Sequence, residues 1–274
     1  GSAPDAQLIL AKVLSNSTRT VRDSDLLAAL DDAMVIKPDT VCVAFMANRD
    51  LGGDAEALYD DVFARLSGAG ITVDAPAGDS GRAERRTGVR DLSDVGAPAT
   101  YSSVLAAPGG NVNAAIPGKD YRRMPGTGEA SAQVAGVAAL VCQRMATDPM
   151  FAGMSEEDKS ALVYNFLMGT AHPIVDPSAA DGTFWSPRWV GAGMVDALAA
   201  PTSSVYPSVV GASDPSRPKA ELGESASGWT FQIQLTNLSD TAHTYTLGGQ
   251  ALSEDVNGLL YTKHSTNWAG KGID

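Results

Sequence analysis

Apolar residues along this chain fall into short continuous runs separated by stretches with helical spacing. Residues 6–13 (AQLILAKV) form the first run and predict a buried strand. After the polar SNSTRT break, Asp23 or Ser24 is expected to cap an amphipathic helix carrying Leu26, Leu27, Leu30, Ala33 and Met34, which Pro38-Asp39 ends. Val41-Cys42-Val43-Ala44-Phe45 reads as the next buried strand. A second helix is predicted from about Asp54 to Leu66, with Leu58, Val62, Phe63 and Leu66 on one face and Gly68 or Gly70 stopping it. Ile71-Thr72-Val73 begins a third strand. Strands alternating with helices of this length predict βαβ units and a mainly parallel sheet with helices on both faces.

Residues 79–100 are polar, charged and Gly-rich and read as loop, and Tyr101 to Leu105 as another strand before Ala107-Pro108-Gly109-Gly110. From Ala130 the run VAGVAALVCQRM has no polar face until Gln143, the pattern of a helix buried all round. Ser155-Glu156-Glu157-Asp158 resembles a capping box opening a helix through Leu162, Tyr164, Phe166 and Leu167. Near residue 200 the character changes. Trp229, Phe231, Ile233 and Leu235 alternate with Thr230, Gln232, Gln234 and Thr236, a half-buried antiparallel strand, and His243–Leu247 alternate more weakly. The chain therefore divides into an α/β domain over 1–200 and a small β-sandwich over 201–274.

Charge and cysteine content narrow the function classes. The 274 residues carry a formal net charge of −12, which repels phosphate backbones and argues against nucleic-acid binding. No apolar run reaches the length of a membrane span, and no Cys/His cluster has metal-ligand spacing, so no metal or cofactor is expected. Cys42 and Cys142 each lie in an apolar stretch; they read as two buried thiols, with a single long-loop disulfide as the alternative.

The informative segment is Gly126-Thr127-Gly128-Glu129-Ala130-Ser131-Ala132-Gln133-Val134-Ala135-Gly136. It resembles the subtilase nucleophile motif G-T-S-M-A-x-P-H-V-A-G, in which a serine opens a buried helix, where the helix N-terminus favours negative charge. Four other segments resemble that family in the same order. Ala3-Pro4-Asp5-Ala6-Gln7-Leu8 with Lys12-Val13 is similar to the strand after the catalytic histidine helix. Asp39-Thr40-Val41-Cys42-Val43-Ala44-Phe45 is similar to D-V-I-N-M-S-L, Ala75-Pro76-Ala77-Gly78-Asp79-Ser80-Gly81 to A-A-A-G-N-x-G, and Ala107-Pro108-Gly109-Gly110 to A-P-G-G. Phe184-Trp185-Ser186-Pro187-Arg188, followed by Gly191-Ala192-Gly193-Met194-Val195-Asp196-Ala197, resembles the close of the catalytic domain in cell-envelope peptidases of the C5a peptidase and lactocepin type. The resemblance implies a subtilisin-like parallel sheet lacking its N-terminal third, then a fibronectin-like β-sandwich, with no protease-associated insert.

The departures decide the functional expectation. Gly128 stands at the nucleophile position and Asp79 at that of the oxyanion asparagine. An ionised carboxylate repels a developing oxyanion, and losing one oxyanion donor typically costs about 3 kcal/mol of transition-state stabilisation. The family's catalytic Asp and His lie upstream of the segment where this chain begins. The resemblance therefore implies an inactive peptidase module of an exported or cell-surface protein. Ala44, Phe45, Met46, Ala75, Pro76 and Ala77 occupy the peptide-cradling strands and would hold a peptide or protein ligand by β-augmentation. Part of an active serine endopeptidase with its Asp and His upstream is the alternative, and a structural spacer a third reading. Unpaired strands left by a missing third imply an exposed sheet edge and self-association.

Overall fold

The computed structural model of the chain describes residues 2–18, 20–44, 53–78, 105–116, 118–177, 182–185, 187–212, 216–220, 227–246, 248–250, 252–257 and 260–267. The expectations for Phe45, Met46, Asp79, the 79–100 loop and Tyr101 lie outside them.

Helix α1 (Asp23–Ile36), strand β1 (Thr40–Cys42), helix α2 (Gly53–Gly68) and strand β2 (Thr72–Asp74) form a right-reading βαβ order in which β1 and β2 pair in parallel, Val41 opposite Val73 and Cys42 opposite Asp74. Alternation along each strand divides the sheet's two faces. Val41, Val43 and Val73 pack with Leu26, Leu30, Tyr59, Leu66 and Ile71 of the α1–α2 layer. Cys42 turns the other way, under helix α3 (Thr127–Thr147), which packs on both strands. This strand pair is thus covered on both faces, as the alternation of strands and helices predicted.

The second core lies between α3 and helix α4 (Glu156–Gly169), where Val137 and Val141 meet Phe151, Val163 and Phe166. Phe166 stands edge-on to Phe151 and to Tyr206 of strand β5 (Val205–Val209), so β5 is fixed to α4. Ser155 caps α4 as its sequence foretold, its hydroxyl accepting from the Asp158 N–H at 3.0 Å. Tyr164 closes the outer edge of β2. Its hydroxyl accepts from the Val73 N–H at 3.0 Å and donates to the Val73 carbonyl at 3.3 Å, taking the place of a neighbouring strand. Two short helices follow, α5 (Pro187–Val190) and α6 (Ala199–Thr202).

Four expectations require correction. Residues 6–13 are not a buried strand: no described strand lies beside them, and Leu8, Ile9 and Leu10 are 83%, 63% and 91% exposed. A strand apolar on both faces needs neighbours on both sides. Neither Asp23 nor Ser24 caps α1; Arg22 holds the cap position without a side-chain bond, because Asp23 accepts instead from the Tyr59 hydroxyl of α2 at 2.9 Å. Strand β6 (Ile233–Asn237) does form, antiparallel to β5, but Trp229, Phe231, Ile233 and Leu235 are about half exposed rather than buried. His243 to Thr246 form no strand.

Sequence reading passed over the hairpin of β3 (Val112–Ile116) and β4 (Asp120–Met124), which lies between Gly110 and α3. A last antiparallel pair joins β7 (Leu252–Asn257) to β8 (Leu260–Asn267). Among the described residues the sheets are four separate strand pairs. No helix in them is long and apolar enough to cross a membrane, and no cluster of metal-ligating side chains occurs among them.

Candidate functional site

The site is assembled where three backbone segments converge on the N-terminus of α3. Gly126 precedes the helix in extended conformation, and its N–H donates to the Gly109 carbonyl at 2.9 Å. A Cβ on Gly109 would lie 2.6 Å from the Gly126 oxygen, so only glycine permits this approach. The Gln133 amide donates to the Pro108 carbonyl, fastening the same segment one turn further along. Ala107-Pro108-Gly109-Gly110 is therefore the strap that sets the helix start.

Thr127 fixes the second segment. Its Oγ1 accepts from the Gly78 N–H at 2.9 Å, which brings the chain leaving β2 through Ala75, Pro76 and Ala77 up to the first turn. Gly78 has φ +116°, open to glycine and strained for any other residue. The third segment is the chain leaving β1. A Cβ placed on Gly128 would sit 3.8 Å from the Ala44 carbonyl oxygen, an ordinary contact with room for a side chain. The chains leaving β1 at Ala44 and β2 at Gly78 thus both reach the first turn of α3, and there Pro76 is buried and Ala77 exposed.

Beneath the first turn lies a polar layer. The buried Ser131 hydroxyl donates to the Gly128 carbonyl at 3.1 Å and lies 3.5 Å from the Cys42 sulfur. Cys42 is exposed as a residue, but its sulfur lies under α3, and burial of that end raises the thiol above its ordinary value. Beside Cys42, burial pushes the Asp74 carboxyl up to about 8, and its Oδ2 has no hydrogen-bond partner. At neutral pH this acid is mainly protonated.

Both cysteines are free. Cys42 faces Ser131, whereas Cys142 lies 4.0 Å from the Asp39 carbonyl oxygen, about 16 Å farther along α3 by helical rise, so no disulfide joins them. Desolvation, with the Asp39 charge second, pushes the Cys142 thiol up to about 12.

The fold also makes a pair that no local sequence pattern marks. His172 Nε2 lies 2.7 Å from Asp196 Oδ2. Asp196 also accepts from the Ala199 and Leu198 N–H groups at 2.8 Å each; these bonds, Ala199's foremost, and His172 hold its carboxyl below the usual range. The pair anchors the Gly191–Val195 segment, whose Gly193 lies against the His172 backbone, and caps α6. His172 bonds to no hydroxyl of the Gly128 site.

No protein-family model matches the chain. It is 24% identical to the C5a peptidase of Streptococcus pyogenes serotype M1 over 169 residues, 60% of this chain and 14% of that protein. It is 32% identical to the PII-type proteinase of Lacticaseibacillus paracasei over 180 residues, again 60% of this chain but 9% of that protein. The chain thus spans a small part of each relative's length. The prenylagaramide maturation protease PagA superposes with a TM-score of 0.53 at 19% identity, over 69% of this chain and 70% of that one. The patellamide maturation protease PatA also gives 0.53, at 20% identity, over 69% and 71%. These likenesses establish the fold, and the sequence matches supply the kinship. In sequence the chain is thus similar to cell-envelope subtilisin-like proteinases, here the C5a peptidase and the PII-type proteinase, and in fold to subtilisin-like maturation proteases.

Proposed function

We propose that this chain is a catalytically silent subtilisin-like module of an exported cell-surface protein, retaining a cleft that holds an extended peptide without cutting it. One observation carries the reading. The residue that opens the buried helix, opposite the Ala44 carbonyl, is Gly128, and it has no side chain with which to attack a carbonyl. The neighbouring hydroxyls do not replace it. Ser131 is buried and donates to the Gly128 carbonyl, and Thr127 is tied to Gly78. The Cys42 thiol is held neutral, not activated.

Asp79 at the oxyanion position agrees with the same reading, since a carboxylate opposes the charge that peptide hydrolysis develops. The ends of β1 and β2, through Ala44, Phe45, Met46 and Ala75, Pro76, Ala77, supply backbone groups for an added peptide strand. A fibronectin-like sandwich over 201–274 remains part of the proposal, with β5–β6 and β7–β8 as its strand pairs. The exposed Leu8–Leu10 run supports self-association.

The kinship with proteinases favours a second reading, part of an active endopeptidase, and the room at Gly128 allows it sterically. Isothermal titration of the protein with an extended eight-residue peptide tests the binding half. Affinity at or below millimolar concentration is the expected result; no heat at that concentration overturns the retained cleft and leaves a spacer.

A further inference from the structure

The β3–β4 hairpin stands apart from the cleft in both charge and exposure. All five residues of β4 are exposed, Tyr121 at 66%. Lys119 in the turn and Arg122 and Arg123 on the strand are three cations against the single carboxylate of Asp120, in a chain whose net charge is −12. Ion pairs among the described residues join Arg144 to Asp148, Lys159 to Glu156 and His172 to Asp196; none of the hairpin's three cations is engaged by a side chain of those residues. Surface cations are ordinarily interspersed with acids, so three cations against one acid in the turn and β4 form a local positive field.

The backbone adds direction to that field. The Tyr121 N–H donates to Asp120 Oδ1 at 2.8 Å, so we read Tyr121, which stands opposite Ala115, as a non-bonded position of the pair. Antiparallel pairs alternate between bonded and non-bonded positions. Tyr121 and, two residues on, Arg123 therefore turn their backbone polar groups to the outer edge of β4, which pairs with no strand among the described residues. Side chains alternate across the strand, placing Arg122 with Asp120 and Met124 on one face and Arg123 with Tyr121 on the other.

We propose that the free edge of β4 docks an extended acidic segment of a partner protein as a third strand. Two adjacent acidic residues in that segment, one on each face, would meet Arg122 and Arg123 at cross-strand distance. Apolar residues beside them would cover Tyr121 and Met124. Backbone pairing supplies the fixed geometry and the charge pairs the choice of partner. The overall negative charge of the chain disfavours a nucleic acid here, because a polyanion of that length meets the rest of the surface. This surface does not depend on whether the cleft at Gly128 binds.

The test uses the whole chain and a fluorescein-labelled eight-residue peptide containing two adjacent glutamates flanked by threonine and valine. Its lysine counterpart and a twelve-nucleotide oligothymidylate serve as comparisons. The glutamate peptide is expected to bind at least tenfold more tightly than the other two, and more weakly as salt rises. The double substitution Arg122→Glu, Arg123→Glu is expected to lower that affinity at least tenfold, and Arg122→Lys, Arg123→Lys to retain most of it. Hydrogen exchange at the Tyr121 and Arg123 amides is expected to slow on binding. Equal binding of the lysine peptide, tighter binding of the oligonucleotide, indifference to charge reversal, or unchanged exchange in β4 would each overturn the proposal. Both arginines are exposed, so an unchanged melting temperature verifies that the variants fold.

Discussion

The Gly78 N–H donates to Thr127 Oγ1 at 2.9 Å, joining the chain that leaves β2 to the first residue of α3. Through this bond the segment preceding the oxyanion position and the turn carrying Gly128 are held as one unit. Replacing Thr127 by valine keeps the shape and removes the acceptor, leaving a partly buried N–H unsatisfied. The expected cost is about 1–3 kcal/mol, read by chemical denaturation, whereas Thr127→Ser restores most of it. Equal stability of the valine and wild-type proteins would show that the bond does not hold the site.

Gly109 and Gly110 are adjacent yet differ in what a methyl group would meet. At Gly109 it would strike the Gly126 carbonyl at 2.6 Å, and at Gly110 nothing lies within 4 Å. Gly109→Ala is expected to destabilise by about 1–3 kcal/mol, and Gly110→Ala to stay near neutral. Melting temperatures of the two variants measure the contrast, and equal values would contradict the strap.

The Asp74 carboxyl makes stability depend on pH. Its folded value, raised to about 8, exceeds the unfolded value near 4, so its favourable contribution is complete below about pH 4. As pH rises from there the unfolded chain releases a proton that the folded protein retains, and stability declines until about pH 8. Asp74→Asn is expected to flatten that decline by a few kcal/mol at most, read from urea midpoints between pH 4 and 8. An unchanged slope would place the titration elsewhere.

Cys42 faces Ser131 of α3, whereas Cys142, on α3 itself, faces the Asp39 carbonyl, and both remain thiols. Mass spectrometry after alkylation without reductant is expected to find two modified cysteines in denatured protein. In native protein Cys142, raised to about 12, should react at least tenfold more slowly than when unfolded. A mass two units lower that resists alkylation would reveal a disulfide.

Where the sequence carried a local signal, the fold followed it. The apolar run from Ala130 and the Ser155 cap each name their helix by side-chain chemistry alone, and Val41 and Val73 announce paired strands. The run at Leu8–Leu10 carried an equally strong signal but misled, because burial of a strand depends on neighbours that local pattern does not encode. The β3–β4 hairpin was illegible for the opposite reason. Strand β4, DYRRM, is exposed throughout and has no apolar face to mark it, and β3, VNAAI, is too short and Ala-rich for its alternation to stand out. At the site, the motif glycines and Thr127 were legible as a pattern. The Asp74–Cys42–Ser131 layer and the His172–Asp196 pair were not, since each is made by residues far apart in sequence.

Turnover of a fluorogenic casein by this protein, alongside its Gly128→Ser variant, tests the central claim most directly. The account predicts no hydrolysis above the uncatalysed rate for the native glycine form. Hydrolysis by that form, retained after purification to constant specific activity, would show that a nucleophile other than residue 128 operates and would contradict the silent-module reading.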